Sequence, residues 1–338
     1  MLALVLDFQY RRLDYLDVPE PTEPGPGEVL LEIIEVGVCG TDRDLAKFRF
    51  GQPPAGQNHL ILGHEALARV KSVGPLVNTC KAGDLVVPRV RHSCRPSCSS
   101  CSAGRSDLCL TNNYQERGIT GLDGFFRPLA VDEAANLQAI PSELADVAVL
   151  VEPMSVVEKA YELALRLHIS GEVRRVAVIG AGTIGLLTAM LARLKGHYAT
   201  IVSREAADSP RAQLIQELGC SYQVNFSDLS ADVIIEAAGS NAAACSAVSC
   251  LAPLGVLVVL GAPDGPGEIP FLRMIVGNQV VAGSVNAAPH HFALAVKHLS
   301  ALDRNLLNRL IERRTFAEAK ETIISSSGES IKLVHRLD

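Results

Sequence analysis

The feature that most constrains the fold is a glycine-spaced hexapeptide, Gly180-Ala181-Gly182-Thr183-Ile184-Gly185. The run RRVAVIG that leads into it predicts a buried strand, and the run TIGLLTAMLARLKG that follows predicts a helix. In that setting the first glycine permits a tight turn, the second admits a pyrophosphate near the backbone, and the third lets the helix pack on the strand. The positive end of the helix then faces the phosphates. We predict dinucleotide binding at Gly180, Gly182, Thr183, Ile184 and Gly185; the alternative is a glycine-rich turn without a ligand.

The pattern around the hexapeptide predicts an α/β fold with two domains, as expected for 338 residues. From about Val151, strands alternate with helices, which predicts βαβ units and a doubly wound parallel sheet. Before about Pro141, short β-type runs separated by proline and glycine predict a mostly antiparallel domain. From His290, two helices, a short helix and a closing strand are expected, returning to the first domain. The predicted domains are therefore 1–152 with 288–338, and 153–287.

Composition limits the classes of binding partner and the cellular compartment that the sequence predicts. Thirty-one Lys and Arg against 37 Asp and Glu give a net charge of -6, which disfavours nucleic acid and anionic lipid as partners. The first residues lack the pattern of a secretory signal, and no apolar run is long enough to span a membrane. The nine cysteines are odd in number and partly clustered, which suits metal binding and reduced thiols better than disulfides. We expect a cytoplasmic protein.

The residues after the second predicted strand bear on the choice of dinucleotide. An NAD enzyme normally presents an acidic residue there to the ribose 2′-hydroxyl. This chain has Ser203, Arg204 and Glu205. A hydroxyl followed by a guanidinium suits a 2′-phosphate, so NADP is predicted over NAD, or tolerance of both. The competing interpretation gives Glu205 the ribose and leaves Arg204 in solvent.

Four cysteines, Cys94, Cys98, Cys101 and Cys109, share one serine-rich loop with the spacing C-x3-C-x2-C-x7-C. Four thiolates close a tetrahedral zinc site with no open position, which is the structural type. Because little in the loop is hydrophobic, the metal would supply its ordering energy. Free thiols in a mobile loop, or a zinc ribbon that binds nucleic acid through nearby arginines, are the weaker alternatives.

A second set of metal-ligating residue types is dispersed along the chain. Cys39 lies in GVCGTD, His64 and Glu65 lie in LGHEALARV, and Glu152 opens VEPMSVVEKA. One thiolate, one imidazole and one carboxylate would leave an open position on zinc for water or a substrate oxygen. Spacing alone makes this a weak prediction, because lone Cys, His and Glu residues are more often packing or surface residues.

These motifs and the cysteine loop occur in the order seen in zinc-dependent medium-chain alcohol dehydrogenases, which the chain resembles over its whole length. YQERGITGLDGFF, VEPMSVVEKA and GSVNAAPHHFALAV are most similar to the glucose 1-dehydrogenase branch. The resemblance implies a GroES-like catalytic domain and a Rossmann domain. It also implies catalytic and structural zinc, NADP or NAD, and oxidation of an aldose such as glucose to its lactone.

The same resemblance implies roles for individual residues. Cys39, His64 and Glu152 would hold the catalytic zinc, with Glu65 as an alternative ligand or a neighbour of the ligands, and Thr41 would relay the substrate proton. The remaining implied contacts are with sugar hydroxyls (Glu116, Glu152 and Asn286, beside Thr41), with the 2′-phosphate (Ser203 and Arg204), and with the cofactor side of the cleft (Asn278, whose other interpretation is a cap).

Three departures from the family pattern qualify the substrate. Three residues rather than two separate Cys94 from Cys98, which a loop tolerates. Val90 and Val276 stand where the glucose-binding pattern has Asn and His. Losing groups that hydrogen-bond hydroxyls weakens the case for glucose itself. Another polyol, a secondary alcohol or an amino alcohol is the alternative substrate, and a non-enzymatic dinucleotide sensor is the alternative function.

The end of the predicted parallel sheet, near Gly283, bears on the oligomeric state. An unpaired sheet edge tends to find a partner strand. A homodimer or homotetramer is therefore expected.

Overall fold

The computed structural model describes residues 1–261, 265–325 and 330–337. Its contacts divide the chain into two compact units. The first contains Met1–Glu152, Ala288–Ser300 and Leu307–Asp338, and the second contains Pro153–Ala287 and Ala301–Leu306. The α/β fold class is confirmed, with an antiparallel β-rich unit and a parallel-sheet unit.

The first unit begins with eleven short strands and two short helices. They are β1 (Leu2–Asp7), β2 (Arg12–Asp17), β3 (Glu28–Gly37), α1 (Gly40–Ala46), β4 (His59–Ile61), β5 (Glu65–Val73), β6 (Leu85–Pro88), β7 (Arg91–His92), α2 (Ser99–Ser102), β8 (Gln115–Arg117), β9 (Gly121–Leu122), β10 (Leu129–Glu133) and β11 (Leu137–Ile140). One small sheet has the order β2-β1-β4, and another has the order β7-β8-β9.

Strand β3 is the centre of this unit. It pairs antiparallel with β5 over nearly its whole length and with β10 on its other side. Val29, Leu31, Ile33 and Val36 of β3 are buried with residues of β1, β5 and β6 in the core of the unit. Burying this apolar face gives β3 a strongly specified register, and its C-terminal end leads directly to Cys39.

The second unit is a six-stranded parallel sheet with helices between its strands. Its elements are α3 (Val151–Leu167), β12 (Arg175–Ile179), α4 (Thr183–Leu194), β13 (Tyr198–Val202), α5 (Pro210–Glu217), β14 (Ser221–Gln223), β15 (Ala231–Glu236), α6 (Asn241–Ser249), β16 (Leu251–Val259), α7 (Phe271–Gly277) and β17 (Val280–Gly283). The strand order is β14-β13-β12-β15-β16-β17. Strands β12, β15 and β16 are apolar and buried, as expected for parallel strands covered on both faces.

The C-terminal segment differs from the sequence-based expectation. It forms α8 (Pro289–Ala301), α9 (Arg304–Arg309), β18 (Ile311–Thr315), α10 (Ala319–Ile324) and β19 (Lys332–Arg336). The closing strand pairs antiparallel with β3, so the chain returns to the first sheet. Strand β18 was not predicted, because IERRT is charged rather than apolar; it lies at the sheet edge, where charged residues discourage further pairing. Within the described residues, no helix has the length and apolarity needed to cross a bilayer.

Candidate active site

Cys39 lies at the first turn of α1, immediately after the central strand β3. It is the N-cap of the helix, and its Sγ accepts a hydrogen bond from the Thr41 amide at 3.2 Å. The Cys39 amide donates to Asp42 Oδ2 at 2.9 Å, which completes a reciprocal cap. Burial by itself raises the pKa of the Cys39 thiol, but the positive charge of His64 and its hydrogen bond outweigh that effect and lower the pKa. The local structure therefore favours a thiolate at Cys39.

His64 follows the tight turn at Gly63, between β4 and β5. Gly63 has φ +91°, and a Cβ there would lie 2.7 Å from Phe126, so the turn requires glycine. His64 is buried, and its Nδ1 lies 3.4 Å from Oδ1 of the fully buried Asp42. Burial disfavours both charged forms, but their mutual attraction raises the pKa of His64 and lowers that of Asp42. A carboxylate facing Nδ1 fixes the ring orientation and leaves Nε2 for a metal.

Glu65 forms a buried ion pair with Lys332, from the last strand of the chain. Lys332 Nζ also donates to the Val38 carbonyl at 3.1 Å. Gly37 makes this approach possible, because a Cβ there would lie 2.5 Å from Glu65 Oε2 and 2.6 Å from Lys332 Cε. Burial lowers the pKa of Lys332 to about 8, against the opposing effect of nearby Cys39 and Asp42. The Glu65 carboxylate is therefore already engaged by a cation.

The structure brings three of the four dispersed residues together within the first unit. Ligand atoms of Cys39, His64 and Glu65 lie within 4.8 Å of one another. Glu152, in the first turn of α3, is buried in the same neighbourhood. Burial, together with the negative charges of Asp42 and Glu116, raises its pKa to about 7 although His64 opposes the shift. A thiolate, an imidazole and carboxylates are a ligand set that fits a zinc ion.

The four loop cysteines form a second cluster in the same unit. Their sulfur atoms all lie within 4.8 Å of one another, and Cys94 Sγ is 3.7 Å from Cys101 Sγ. All four are free thiols. Amide donors, from Cys101 and Leu110, lower the pKa of Cys98 to about 6, whereas burial raises that of Cys101 to about 12. Four converging sulfurs fit a closed tetrahedral zinc site.

Glu116 lies on β8, opposite Arg91 of β7. Arg91 Nε donates to Glu116 Oε1 at 2.9 Å, and both side chains are buried. Thr41 is partly exposed at the start of α1. The carboxyl group of Glu116 also contributes to the raised pKa of Glu152, so the two carboxyl groups share one electrostatic neighbourhood.

The glycine hexapeptide in the second unit has the geometry that a dinucleotide needs. Gly180 has φ +102°, and a Cβ there would lie 3.1 Å from Ala238. A Cβ on Gly185 would lie 1.9 Å from the Gly180 carbonyl oxygen, so the helix packs closely on the strand. A Cβ on Gly182 would meet nothing within 4 Å, so space remains above the start of α4, where Thr183 and Ile184 are partly buried. This open cradle fits a pyrophosphate.

A cavity of about 540 Å³ opens beside this loop. It is lined by Ile179, Gly180, Val202, Ser203, Arg204, Glu205, Val224, Phe226, Ala238, Ser240, Ala242, Ala243 and Ser246. These residues follow the carboxyl ends of β12, β13 and β15, where ligands bind in open parallel sheets.

The carboxylate of Glu205 is hydrogen-bonded to neighbouring residues of the second unit. Its carboxylate accepts hydrogen bonds from Ser203 Oγ and from Arg211 Nη1, the latter at 3.0 Å, while Tyr222 Oη donates to the Glu205 carbonyl at 2.7 Å. Burial alone raises the pKa of Glu205, but Ser203 and Arg211 outweigh it and lower the pKa. Arg204 is exposed beside the cavity.

The remaining sequence-predicted residues lie in or beside the second unit's last strand. Asn278 is the left-handed C-cap of α7, with φ 49°, which gives it a structural role. Asn286 is left-handed too, with φ 59°, and the preceding Val285 carbonyl accepts a hydrogen bond from Lys159 at 2.8 Å. Val276 is 75% exposed on α7.

Sequence reasoning missed several residues that hold the predicted ones in place. Two features of the sequence pointed to such roles. They are the lone lysine Lys332 in the apolar run IKLVHRL, and the acidic residue Asp42 three positions after Cys39. The missed residues are Asp42, Arg91, Lys159, Arg211, Tyr222 and Lys332.

Known proteins resemble the whole chain. A family model described as "Alcohol dehydrogenase GroES-like domain" matches residues 25–142, and one described as "Glucose dehydrogenase C-terminus" matches residues 145–337. The chain is 39% identical over 321 residues to glucose 1-dehydrogenase of Thermoproteus tenax, covering 90% of each chain. It is 37% identical over 336 residues to glucose 1-dehydrogenase 2 of Vulcanisaeta moutnovskia, covering 95% of this chain and 94% of that one.

Solved structures give the same result. Haloferax mediterranei glucose dehydrogenase in complex with NADP, Zn and gluconolactone has a TM-score of 0.91 and 29% identity, covering 100% of this chain and 99% of that one. Galactitol-1-phosphate dehydrogenase from Escherichia coli has a TM-score of 0.84 at 23% identity, covering 99% of each chain, which shows the shared fold alone.

Proposed function

We propose a function from one premise: the chain belongs to the glucose 1-dehydrogenase family of the zinc-dependent medium-chain alcohol dehydrogenases. The proposed reaction is oxidation of an aldose such as glucose to its lactone, with NADP as the preferred hydride acceptor. The observation that carries this proposal is the convergence of Cys39, His64 and Glu65, with Glu152 and Glu116 in the same buried neighbourhood.

Cys39, His64 and Glu152 would hold the catalytic zinc, and Cys94, Cys98, Cys101 and Cys109 would hold the structural one. When bound, the catalytic zinc supplies Lewis-acid polarisation of the substrate hydroxyl, and the nicotinamide accepts the hydride. Glu65 is better suited to a supporting role, because Lys332 already engages its carboxylate. Asp42 orients His64 from the side opposite the metal.

The remaining residues of the first unit would bind and orient the sugar. Glu116 and Glu152 accept hydrogen bonds from neutral hydroxyl groups, and Thr41 passes a proton from the reacting hydroxyl toward solvent. Asn286, which belongs to the second unit and has a left-handed backbone, stays a proposed sugar contact on the family resemblance alone. Several fixed polar groups of this kind discriminate between sugars through their hydroxyl patterns.

The dinucleotide would bind at Gly180, Gly182 and Gly185, with Thr183 and Ile184 at the start of α4. Ser203 and Arg204 would contact the 2′-phosphate. Glu205 lines the same cavity, but the Arg211 guanidinium offsets its charge, which supports NADP with tolerance of NAD. Asn278, whose backbone forms the left-handed C-cap of α7, stays a proposed cofactor contact.

Another polyol is the second candidate substrate. The buried Val90 offers no hydrogen bond where the family's glucose pattern has an amide, so a sugar or polyol with fewer hydroxyl contacts is favoured over glucose by this feature. The reaction class and the site residues are the same for both candidates.

We further propose a homodimer or homotetramer in the cytoplasm. The helix α7 exposes Phe271, Leu272, Ile275 and Val276 beside the end of the sheet at β17, an apolar surface that suits a second copy of the chain. All nine cysteines are free thiols, which suits a reducing compartment.

An oxidation assay of aldoses and polyols with NADP and NAD side by side tests the function. We expect turnover of at least one aldose, with the higher kcat/KM for NADP. Zinc-loaded protein that binds NADP but oxidises no compound of the panel would instead indicate a dinucleotide sensor. Sedimentation analysis tests the oligomer.

A further inference from the structure

A buried arginine joins the candidate sugar-binding carboxylate to the four-cysteine loop. Arg91 donates to the same oxygen, Glu116 Oε1, from both Nε and Nη2, each at 2.9 Å. The side chain of Arg91 is 7% exposed and that of Glu116 is 10% exposed. Removing one partner of a charged pair that is shielded from water is strongly destabilising, because it leaves the other charge buried.

Three further contacts of Arg91 are with the cysteine loop or its end. Nη1 donates to the Asp107 carbonyl at 3.4 Å, and the Arg91 carbonyl accepts from Ser106 Oγ at 3.2 Å. The guanidinium carbon lies 3.7 Å from the centre of the Tyr114 ring. Asp107 is in turn bound by both Arg105 Nε and Nη2 at 2.9 Å. One planar guanidinium thus contacts the loop and Glu116 together.

Backbone hydrogen bonds to Thr120 and Ile119 fix the main chain of Glu116, whereas its carboxylate is held by Arg91. Strand β7 has two residues and β8 has three, and Arg91 and Glu116 face each other across them. Arg91 is three residues before Cys94, and Tyr114 is five residues after Cys109. Arg91 therefore links the cysteine loop to the side chain of Glu116.

We propose that Arg91 is a positioning residue for substrate binding, which holds the Glu116 carboxylate in the direction of the sugar and couples that direction to the order of the four-cysteine loop. The proposal rests on the proposed function, in which Glu116 binds a substrate hydroxyl. It predicts that a disturbance of the four-cysteine loop raises KM, although no cysteine of the loop is a proposed substrate contact.

A double-mutant cycle tests the proposal on the zinc-loaded enzyme, using whichever alcohol or aldose the wild type oxidises best. Arg91→Met keeps an unbranched apolar stem and removes the guanidinium. KM should rise about tenfold to a hundredfold, because a displaced substrate contact has effects of that size, while kcat changes less. Arg91→Lys, which keeps the charge without the fork, should restore part of the loss.

The cycle separates positioning from a general structural role. In a Glu116→Ala background, which removes the group that Arg91 holds, Arg91→Met should raise KM no further. Arg95→Met is the matched control, because Arg95 lies in the same loop but pairs with Glu133 and is 78% exposed; its KM should equal that of the wild type. Zinc content and melting temperature are measured for every variant.

The cysteine loop supplies the second arm. Cys98→Ser should lower zinc content and raise KM in the wild-type background, but should leave KM unchanged once Arg91 is Met. An unchanged KM in Arg91→Met, or an equal rise in the Glu116→Ala background, would overturn the proposal. If the wild type oxidises polyols but no aldose, the proposed substrate fails, whereas the same cycle run on the polyol still decides the role of Arg91.

Discussion

The ammonium group of Lys332 forms a buried ion pair with the carboxylate of Glu65, across a separation of 267 residues. This contact joins the last strand of the chain to the residue that follows His64. It also distinguishes Glu65 from Glu152, because it pairs the Glu65 carboxylate with a lysine side chain. The C-terminal strand is therefore part of the support of the candidate zinc site.

Replacing Lys332 by Met should lower the free energy of unfolding by about 3–5 kcal/mol, since it leaves a buried carboxylate uncompensated. Chemical denaturation of the zinc-loaded protein measures the loss. The double variant Lys332→Met with Glu65→Gln removes both charges and should recover part of the stability. A double variant no more stable than the single one would contradict this account of the pair.

Cys39→Ala should reduce turnover at least about a thousandfold, because it removes a ligand of the proposed catalytic zinc. Metal analysis should show loss of that zinc and retention of the loop zinc. Cys80→Ala, at a partly buried cysteine outside both clusters, is the control and should keep activity. Full activity of Cys39→Ala would rule out the assignment.

Cys101→Ser should destabilise the protein rather than stop its chemistry. Cys101 is a buried member of the four-sulfur cluster, and losing the metal would remove the ordering energy of the loop. We expect the melting temperature to fall by about 5 °C or more. Cys245→Ser is the matched control, and equal melting temperatures for the two variants would argue against a structural zinc.

Arg204→Ala should raise KM for NADP about tenfold or more and leave KM for NAD nearly unchanged, since a guanidinium paired with a phosphate is lost. Cofactor binding measured by nucleotide fluorescence gives a readout independent of turnover. Arg166→Ala, at a 71% exposed position on α3, is the control. Parallel losses for both cofactors would place Arg204 elsewhere than at the 2′-phosphate.

Asp232 gives a pH-dependent test of stability in the second unit. Its carboxylate accepts from the Arg174 and Arg175 amides at 3.0 and 2.8 Å and from Arg175 Nη2 at 2.9 Å. Burial opposes the shift, but these bonds lower the pKa. A lowered carboxyl pKa stabilises the fold above the unfolded value of about 3.9, and this stability is lost as pH falls through the folded pKa.

Asp232→Asn should therefore be about 1 kcal/mol less stable than the wild type near neutral pH, and the difference should shrink as pH falls from about 3.9 through the lowered folded pKa. Urea unfolding at a series of pH values measures this difference. A difference that does not change with pH would show that the charge of Asp232 contributes nothing.

Much of the fold was predictable from local patterns. The glycine hexapeptide lies between a strand and a helix in one continuous segment, so its geometry depends on residues close together in the chain. The four cysteines share one loop, so a short chain brings their sulfurs together. Strand β18 was not predicted, because a charged edge strand has no apolar pattern of its own. It forms by pairing with β19.

The sequence by itself determined the α/β class, the glycine cradle and the cysteine cluster, because short-range sterics and hydrophobic periodicity act within single elements. Only the tertiary structure decided that Lys332 pairs with Glu65, and that Arg91 pairs with Glu116. Those pairings depend on the register of strands far apart in the chain. Register is set by burying whole sheet faces together, and no local pattern encodes it.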